Sequence, residues 1–203
     1  RFPKAQNADT ALMNTGRALE EQKQTDNALV VYEQIAEDFP KSIYHSQAAL
    51  KAGKIQFEGK QYAKARAMLK STAQKKGDPN QPLAIYYLGF TEAEAGETDE
   101  AIVWLEQLAR EFPKDPNASE ARMKVGELQI SAKKFDDAQK TYEKFLGEFP
   151  KHKRADDAYY YLGGAQAGLE QWDAAIKSFQ SVGKSSEWIT EALYQSAWCE
   201  RKA

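Results

Sequence analysis

The sequence predicts an all-α protein, a solenoid of antiparallel helix pairs, and three observations carry that prediction. Phe-Pro recurs at Phe2-Pro3, Phe39-Pro40, Phe112-Pro113 and Phe149-Pro150, each time followed by a lysine (Lys4, Lys41, Lys114, Lys151). Glycines stand at Gly16, Gly53, Gly89, Gly126 and Gly163, in steps of 36 or 37 residues. Alanines stand at Ala28, Ala65, Ala101, Ala138 and Ala175, each twelve residues after its glycine. Three markers in phase over five units define an internal repeat, and periods of this size signal stacked supersecondary units.

Each unit reads as two helices. The first is centred on the glycine, as in Ala84-Ile85-Tyr86-Tyr87-Leu88-Gly89-Phe90. A short polar segment follows, such as Glu97-Thr98-Asp99 or Lys133-Lys134. The second helix shows apolar residues at i, i+3, i+4 and i+7, as in Ala101, Trp104, Leu105 and Leu108. Asp26, Asp99, Asp136 and Asp173 stand where an N-cap would begin it. Phe-Pro ends it, because proline lacks a donor and turns its predecessor away from helix. No alternating strand pattern with Gly/Asn turns is present. A glycine inside a helix costs about 1 kcal/mol relative to alanine. The expected return is close packing of the first helix, at its glycine, on the second helix, at its alanine.

Composition narrows the class. The 203 residues carry 28 Lys+Arg against 30 Asp+Glu, and 42% are hydrophobic, too apolar for a disordered chain. No stretch approaches the roughly 20 apolar residues of a membrane-spanning helix. A single cysteine, Cys199, excludes an internal disulfide framework and is expected to be a buried thiol. His45 and His152 lie far apart in linkers or helix starts and are expected at the surface, without a metal. Gly183-Lys184-Ser185 lacks the upstream glycine and strand of a phosphate loop. No catalytic residues, metal or cofactor are expected.

The markers resemble the tetratricopeptide repeat (TPR), whose helix–turn–helix unit carries Leu-Gly, Ala-x3-Phe and a terminal Pro. Leu88-Gly89…Ala101-x3-Leu105…Pro113 and Leu162-Gly163…Ala175-x3-Phe179 carry the resemblance, supported by Ala138-x3-Tyr142…Pro150 and Ala28-x3-Tyr32…Pro40. It covers essentially the whole chain and implies a right-handed α-α superhelix in which first helices line a concave face. The period of 36–37 departs from the usual 34, and the proline is missing from the second and fifth units. The longer period with its Phe-Pro-Lys linker is similar to TPR arrays of bacterial envelope proteins, such as the Tol–Pal-associated TPR protein and BamD. That resemblance implies a periplasmic or cell-envelope setting, with a cytoplasmic one as the alternative. The repeats are expected at about 9–45, 46–81, 82–118, 119–155 and 156–189, with a partial repeat at 190–203 and the tail of a preceding one at 1–8, as in a single array cut from a longer chain.

The expected function is non-catalytic: a scaffold that binds a partner protein or peptide in its groove. Accessory repeats of a larger multidomain protein and a self-associating solenoid are the alternatives. With the glycine turned to the second helix, positions three before it, one after it and four after it are expected to line the groove. These positions give Met13, Leu50, Tyr86, Met123 and Tyr160; Arg17, Lys54, Phe90 and Glu127; and Phe57 and Ile130. Tyr194 joins them if Ala197 takes the glycine's place. Tyr, Phe and Met are favoured interface anchors, and an exposed apolar stripe marks a binding surface. Charge is uneven too. Lys51 to Lys76 is basic and Thr91 to Glu111 is acidic, which suits attraction between neighbouring units more than binding of nucleic acid.

Overall fold

A computed structural model describes residues 7–203. The expectations for residues 1–6, including Phe2-Pro3, lie outside the described residues. Eleven α-helices follow one another, with no strand among the described residues. The first helices of the pairs are α1 (Ala8–Glu21), α3 (His45–Glu58), α5 (Gln81–Glu94), α7 (Ala118–Ser131) and α9 (Ala155–Gly168). Their partners are α2 (Thr25–Asp38), α4 (Tyr62–Gln74), α6 (Thr98–Glu111), α8 (Phe135–Glu148) and α10 (Trp172–Gln180), and α11 (Ile189–Glu200) closes the series. Every first helix starts eight residues before its marker glycine, and every second helix starts three before its marker alanine. By that register Ala197 holds the glycine position in α11. The chain divides into two compact units, Arg1–Leu108 and Ala109–Ala203.

The glycines make room for side chains rather than for backbone. A Cβ on Gly16 would lie 2.5 Å from the Tyr32 ring, and one on Gly53 would lie 2.5 Å from Leu69. Gly89, Gly126 and Gly163 meet Leu105, Tyr142 and Phe179 at 2.6, 2.5 and 2.7 Å. In each pair the occupant stands four residues after the marker alanine. The expected glycine-to-alanine approach is therefore replaced by a notch that a large side chain fills. These side chains anchor the core: Tyr32, Leu69, Leu105 and Tyr142 are fully buried, and Phe179 is nearly so.

The turn within each pair is invariant. Lys23, Lys60, Gly96, Lys133 and Glu170, each seven residues after its glycine, all take a left-handed φ between 57 and 86°. Around Lys23, Gln24 N donates to Leu19 O and Lys23 N to Glu20 O, the paired 6→1 and 5→2 bonds of a Schellman motif. The same pair of bonds recurs at the other four turns. The second helices then begin without side-chain caps at Gln24, Gln61, Lys134 and Gln171. Asp26, Asp99, Asp136 and Asp173 are not N-caps. Each is the second residue of its helix, where a carboxylate complements the N-terminal dipole.

Linkers between pairs share a different device. Ser42 Oγ, Asp78 Oδ1, Asp115 Oδ1, His152 Nδ1 and Ser186 Oγ each accept the backbone N–H two residues on, at 2.8–3.2 Å. All five stand eleven residues before the next glycine position, at a local turn that side-chain acceptors favour. The unit without Phe-Pro keeps it, because Asp78 N donates to Lys75 O as Asp115 N donates to Phe112 O. His152 is thus a half-buried turn residue packed edge-on to Phe145 (ring centroids 5.4 Å apart), not a surface histidine, and His45 is half-buried as well. Cys199 is fully buried, which pushes its thiol pKa up. The basic and acidic stretches do meet in the first unit. Arg66 Nε donates to Glu92 Oε1 at 2.8 Å, and its Nη2 pairs with Glu92 Oε2.

Candidate partner-binding face

At 100° per residue, positions three before and four after the glycine lie only about 60° and 40° from it. They therefore sit beside the helix-pair contact, not opposite it. Met13 and Met123 are fully buried and Leu50 is 7% exposed, so these three belong to the core and not to a groove. Tyr86 and Tyr160 are half-buried, and Tyr160 stacks on Trp188 with ring centroids 4.4 Å apart. Phe57 and Ile130 are half-buried, and Ile130 packs against the core that contains Tyr142. The position one after the glycine, at 100°, does face outward. Arg17 and Lys54 are exposed there, with Phe90 and Glu127 half-buried. Tyr194 is 66% exposed on α11.

The outward stripe consists of positions six before, two before, one after and five after the glycine, a span of about 100–160°. It brings in Gln47, Lys51, Tyr87, Glu120, Asp157 and Tyr161, which the spacing argument missed. The signal was available: the same periodicity, measured from the glycine contact as zero, selects these positions.

In the first unit this stripe carries Arg17, Lys51 and Lys54 with the aromatic Tyr87 and Phe90, and Glu21, Glu58 and Glu94 at its C-terminal edge, where Glu58 lies 3.7 Å from Lys54 Nζ. Arg17 Nη2 donates to Gln47 Oε1 at 3.0 Å, tying α1 to α3. Lys51 Nζ pairs with Glu20, which also accepts from Tyr32 Oη at 2.6 Å. Burial alone would raise the Glu20 pKa, but the bonds from Lys51 and Tyr32 outweigh it and hold the carboxyl below its ordinary value. Lys54 Nζ lies 5.9 Å from the centre of the Tyr87 ring, a cation–π distance. Phe57 meets Tyr87 edge-on at 5.9 Å and Tyr62 at 6.2 Å. Tyr86 joins Tyr87 at 5.4 Å and Phe90 at 4.6 Å.

In the second unit the stripe carries Lys124 and three acids, Glu120, Glu127 and Asp157, that gather on one arginine. Arg154, in the linker before α9, donates to Glu120, Glu127 and Asp157 at 2.8, 2.7 and 2.7 Å. Burial opposes its charge, but the bonds to Asp157 and Glu127 outweigh it and hold the guanidinium pKa above its ordinary value. Tyr161 stacks on Tyr142 beside this cluster, centroids 5.8 Å apart. These arrangements offer side chains for recognition. No nucleophile–base pair is assembled on either stripe.

A family model described as a tetratricopeptide repeat-like domain matches residues 3–156, and one for the tetratricopeptide repeat matches 157–185. No curated protein matches by sequence. Among solved structures, the MamA protein superposes with a TM-score of 0.71 at 22% identity, covering 96% of this chain and 95% of that one. A tetratricopeptide repeat protein from Parabacteroides merdae gives 0.73 at 16% identity, over 97% and 74%. YrrB, described as a TPR protein with an unusual peptide-binding site, gives 0.64 at 21% identity, over 92% and 90%. At these identities the likeness is one of fold. With its helix pairs, glycine notches and family match over three quarters of its length, the chain belongs to the tetratricopeptide repeat family.

Proposed function

We propose that the chain is a non-catalytic scaffold that captures a segment of a partner protein on the outward stripe of its first helices. The observation that carries this reading is the patch on α3 and α5, where exposed Lys54 lies over half-buried Tyr87 and Phe57 packs beside it. Aromatic rings flanked by a cation are what hot spots at protein interfaces are made of. The repeat family binds proteins and peptides, and YrrB carries a peptide-binding site by its description. Exchanging Lys54→Glu and Tyr87→Ser together tests the reading. Capture of the partner from the native source is expected to fall at least about tenfold while circular dichroism shows the helical fold retained. Undiminished capture by the folded variant refutes the assignment of this patch.

A setting in a bacterial envelope assembly is the finer form of the same proposal. It is supported by the 36–37-residue period and the Phe-Pro-Lys linker, and fractionation of cells carrying the tagged full-length gene product tests it. Among the described residues no helix is long and apolar enough to cross a membrane.

A further inference from the structure

The first unit holds a cavity of about 470 Å³ between its second helices, away from the stripe described above. Its floor is α5, where Leu88 and the Glu92 carboxylate lie. One wall is α4, with Arg66, Lys70 and Gln74 on successive turns. The opposite wall is the start of α6, with Glu97, Glu100 and Trp104.

Two positions set this lining apart from the gap between α2 and α4. Arg66 stands one after the marker alanine, where α2 has Leu29. Trp104 stands three after its marker, where α4 has Met68. Leu29 and Met68 both pack against the core of the first pairs. Arg66 instead turns to the floor and binds Glu92 through both carboxylate oxygens. The Glu92 side chain is only 6% exposed and Arg66 neutralises it, so the floor is electrically closed. Arg66 reaches Glu97 only at 4.0 Å. Lys70 is left on one wall, with Glu97 and Glu100 beside an indole on the other.

We propose that this cavity binds a small ligand in which a guanidinium and a carboxylate are held apart as in arginine, either free or as the C-terminal residue of a peptide. Its guanidinium lies between Glu97 and Glu100 and over Trp104, where carboxylates accept paired N–H bonds and an indole face attracts a cation. Its carboxylate lies on Lys70 and the Gln74 amide. A pocket of this volume falls in the range that holds small ligands, and walls of opposite sign select a molecule that carries both charges. The site is independent of the partner face, so neither proposal stands or falls with the other.

Titration of the whole chain, followed by the indole N–H resonance of Trp104, tests it; Trp104→Phe identifies that resonance. L-Arginine is expected to shift it saturably. Agmatine, which lacks the carboxylate, and citrulline, which lacks the cation, are each expected to bind at least about tenfold more weakly. Lys70→Gln is expected to bring arginine down to the level of agmatine and not to weaken agmatine. Glu100→Gln is expected to weaken both. Lys70 and Glu100 are exposed, so both variants keep the fold, which a circular dichroism melt checks. A peptide ending in arginine, compared with its C-terminal amide and with free arginine, tells which source the site prefers. Absence of saturation, equal binding of agmatine and arginine, or indifference to Lys70→Gln overturns the proposal.

Discussion

The first and fourth helix pairs set a tyrosine into the same notch and treat its hydroxyl in opposite ways. Tyr32 fills the space over Gly16 and donates to Glu20, four residues after that glycine. Tyr142 fills the space over Gly126, but the residue four after it is Ile130, and no described group bonds the buried Tyr142 Oη. Three residues after the glycine the units differ again. In the first unit Gln56 donates to Glu33 and Glu92 accepts from Arg66, so each first helix is tied to the preceding pair. In the second unit Gln129 accepts from Thr141 and Gln166 from Ser178, so each is tied to its own partner helix. The cause lies three residues after the marker alanine of the partner helix, where Thr141 and Ser178 carry hydroxyls and Met68 and Trp104 do not. One register thus supports bracing between pairs in one unit and within pairs in the other.

The steric notch is common to both units, and breaking it carries the largest expected effect. Gly16→Ala and Gly126→Ala each force a Cβ against a ring fixed in the core, and each is expected to cost about 1–3 kcal/mol. Urea midpoints measure this, and a variant that melts with the parent shows that the ring moves aside freely.

Acid separates the linkers next, through their acceptors. Asp78 is drawn down to about 2: burial would raise it, and hydrogen bonds from Ser46, Asn80 and Lys75 outweigh that. A carboxyl lowered on folding adds stability above its unfolded value near 3.8 and loses it as pH falls through about 2. That contribution is on the order of 2 kcal/mol. Asp78→Asn is expected to flatten the acid limb of the stability curve between pH 4 and pH 2, and an unchanged limb refutes the assignment. At the equivalent position of the linker between α8 and α9, His152 accepts through Nδ1 and has no carboxyl to protonate, whereas the linker between α6 and α7 has Asp115 there.

Smaller effects sharpen the tyrosine contrast itself. Tyr32→Phe deletes a bond to a charged acceptor and is expected to cost about 1 kcal/mol. Tyr142→Phe removes an unbonded buried hydroxyl and is expected to be neutral or stabilising by up to about 1 kcal/mol. Equal losses for the two would erase the distinction. Smallest is the turn: Lys60→Gly and Lys133→Gly relieve a left-handed lysine and are expected to stabilise by about 0.5 kcal/mol. A loss of stability in thermal melts would show that the lysine side chain matters more than its φ.

The helix pairs were legible in the sequence because glycine, alanine and Phe-Pro mark a period, and a period constrains every unit at once. The notch occupants stood in the Ala-x3-Phe-type pattern, yet the sequence reading paired the glycine with the alanine. The partner face was legible only in part. Arg17 and Lys54 were placed correctly on the outward side, while Met13, Leu50 and Met123 were turned outward although they lie only about 60° from the glycine contact and are buried. Arg154 was invisible to the helical reading because it stands in a linker and gathers Glu120 and Glu127 from another helix. The Arg66–Glu92 pair showed only as adjoining basic and acidic stretches, since charge runs give sign without register.

The left-handed turn inside each pair also governs where this chain can change in length. From glycine to alanine the spacing is twelve in all five units, while the glycine-to-glycine step varies between 36 and 37. One residue added in that turn would rotate the second helix by about 100° and swing the notch occupant out of its seat. One residue added in the linker after the second helix only moves the next pair along. Insertions, epitope tags and new chain ends therefore belong before the turn acceptor of a linker, in segments such as 39–41 and 149–151, and the three-residue turns between partner helices should accept none.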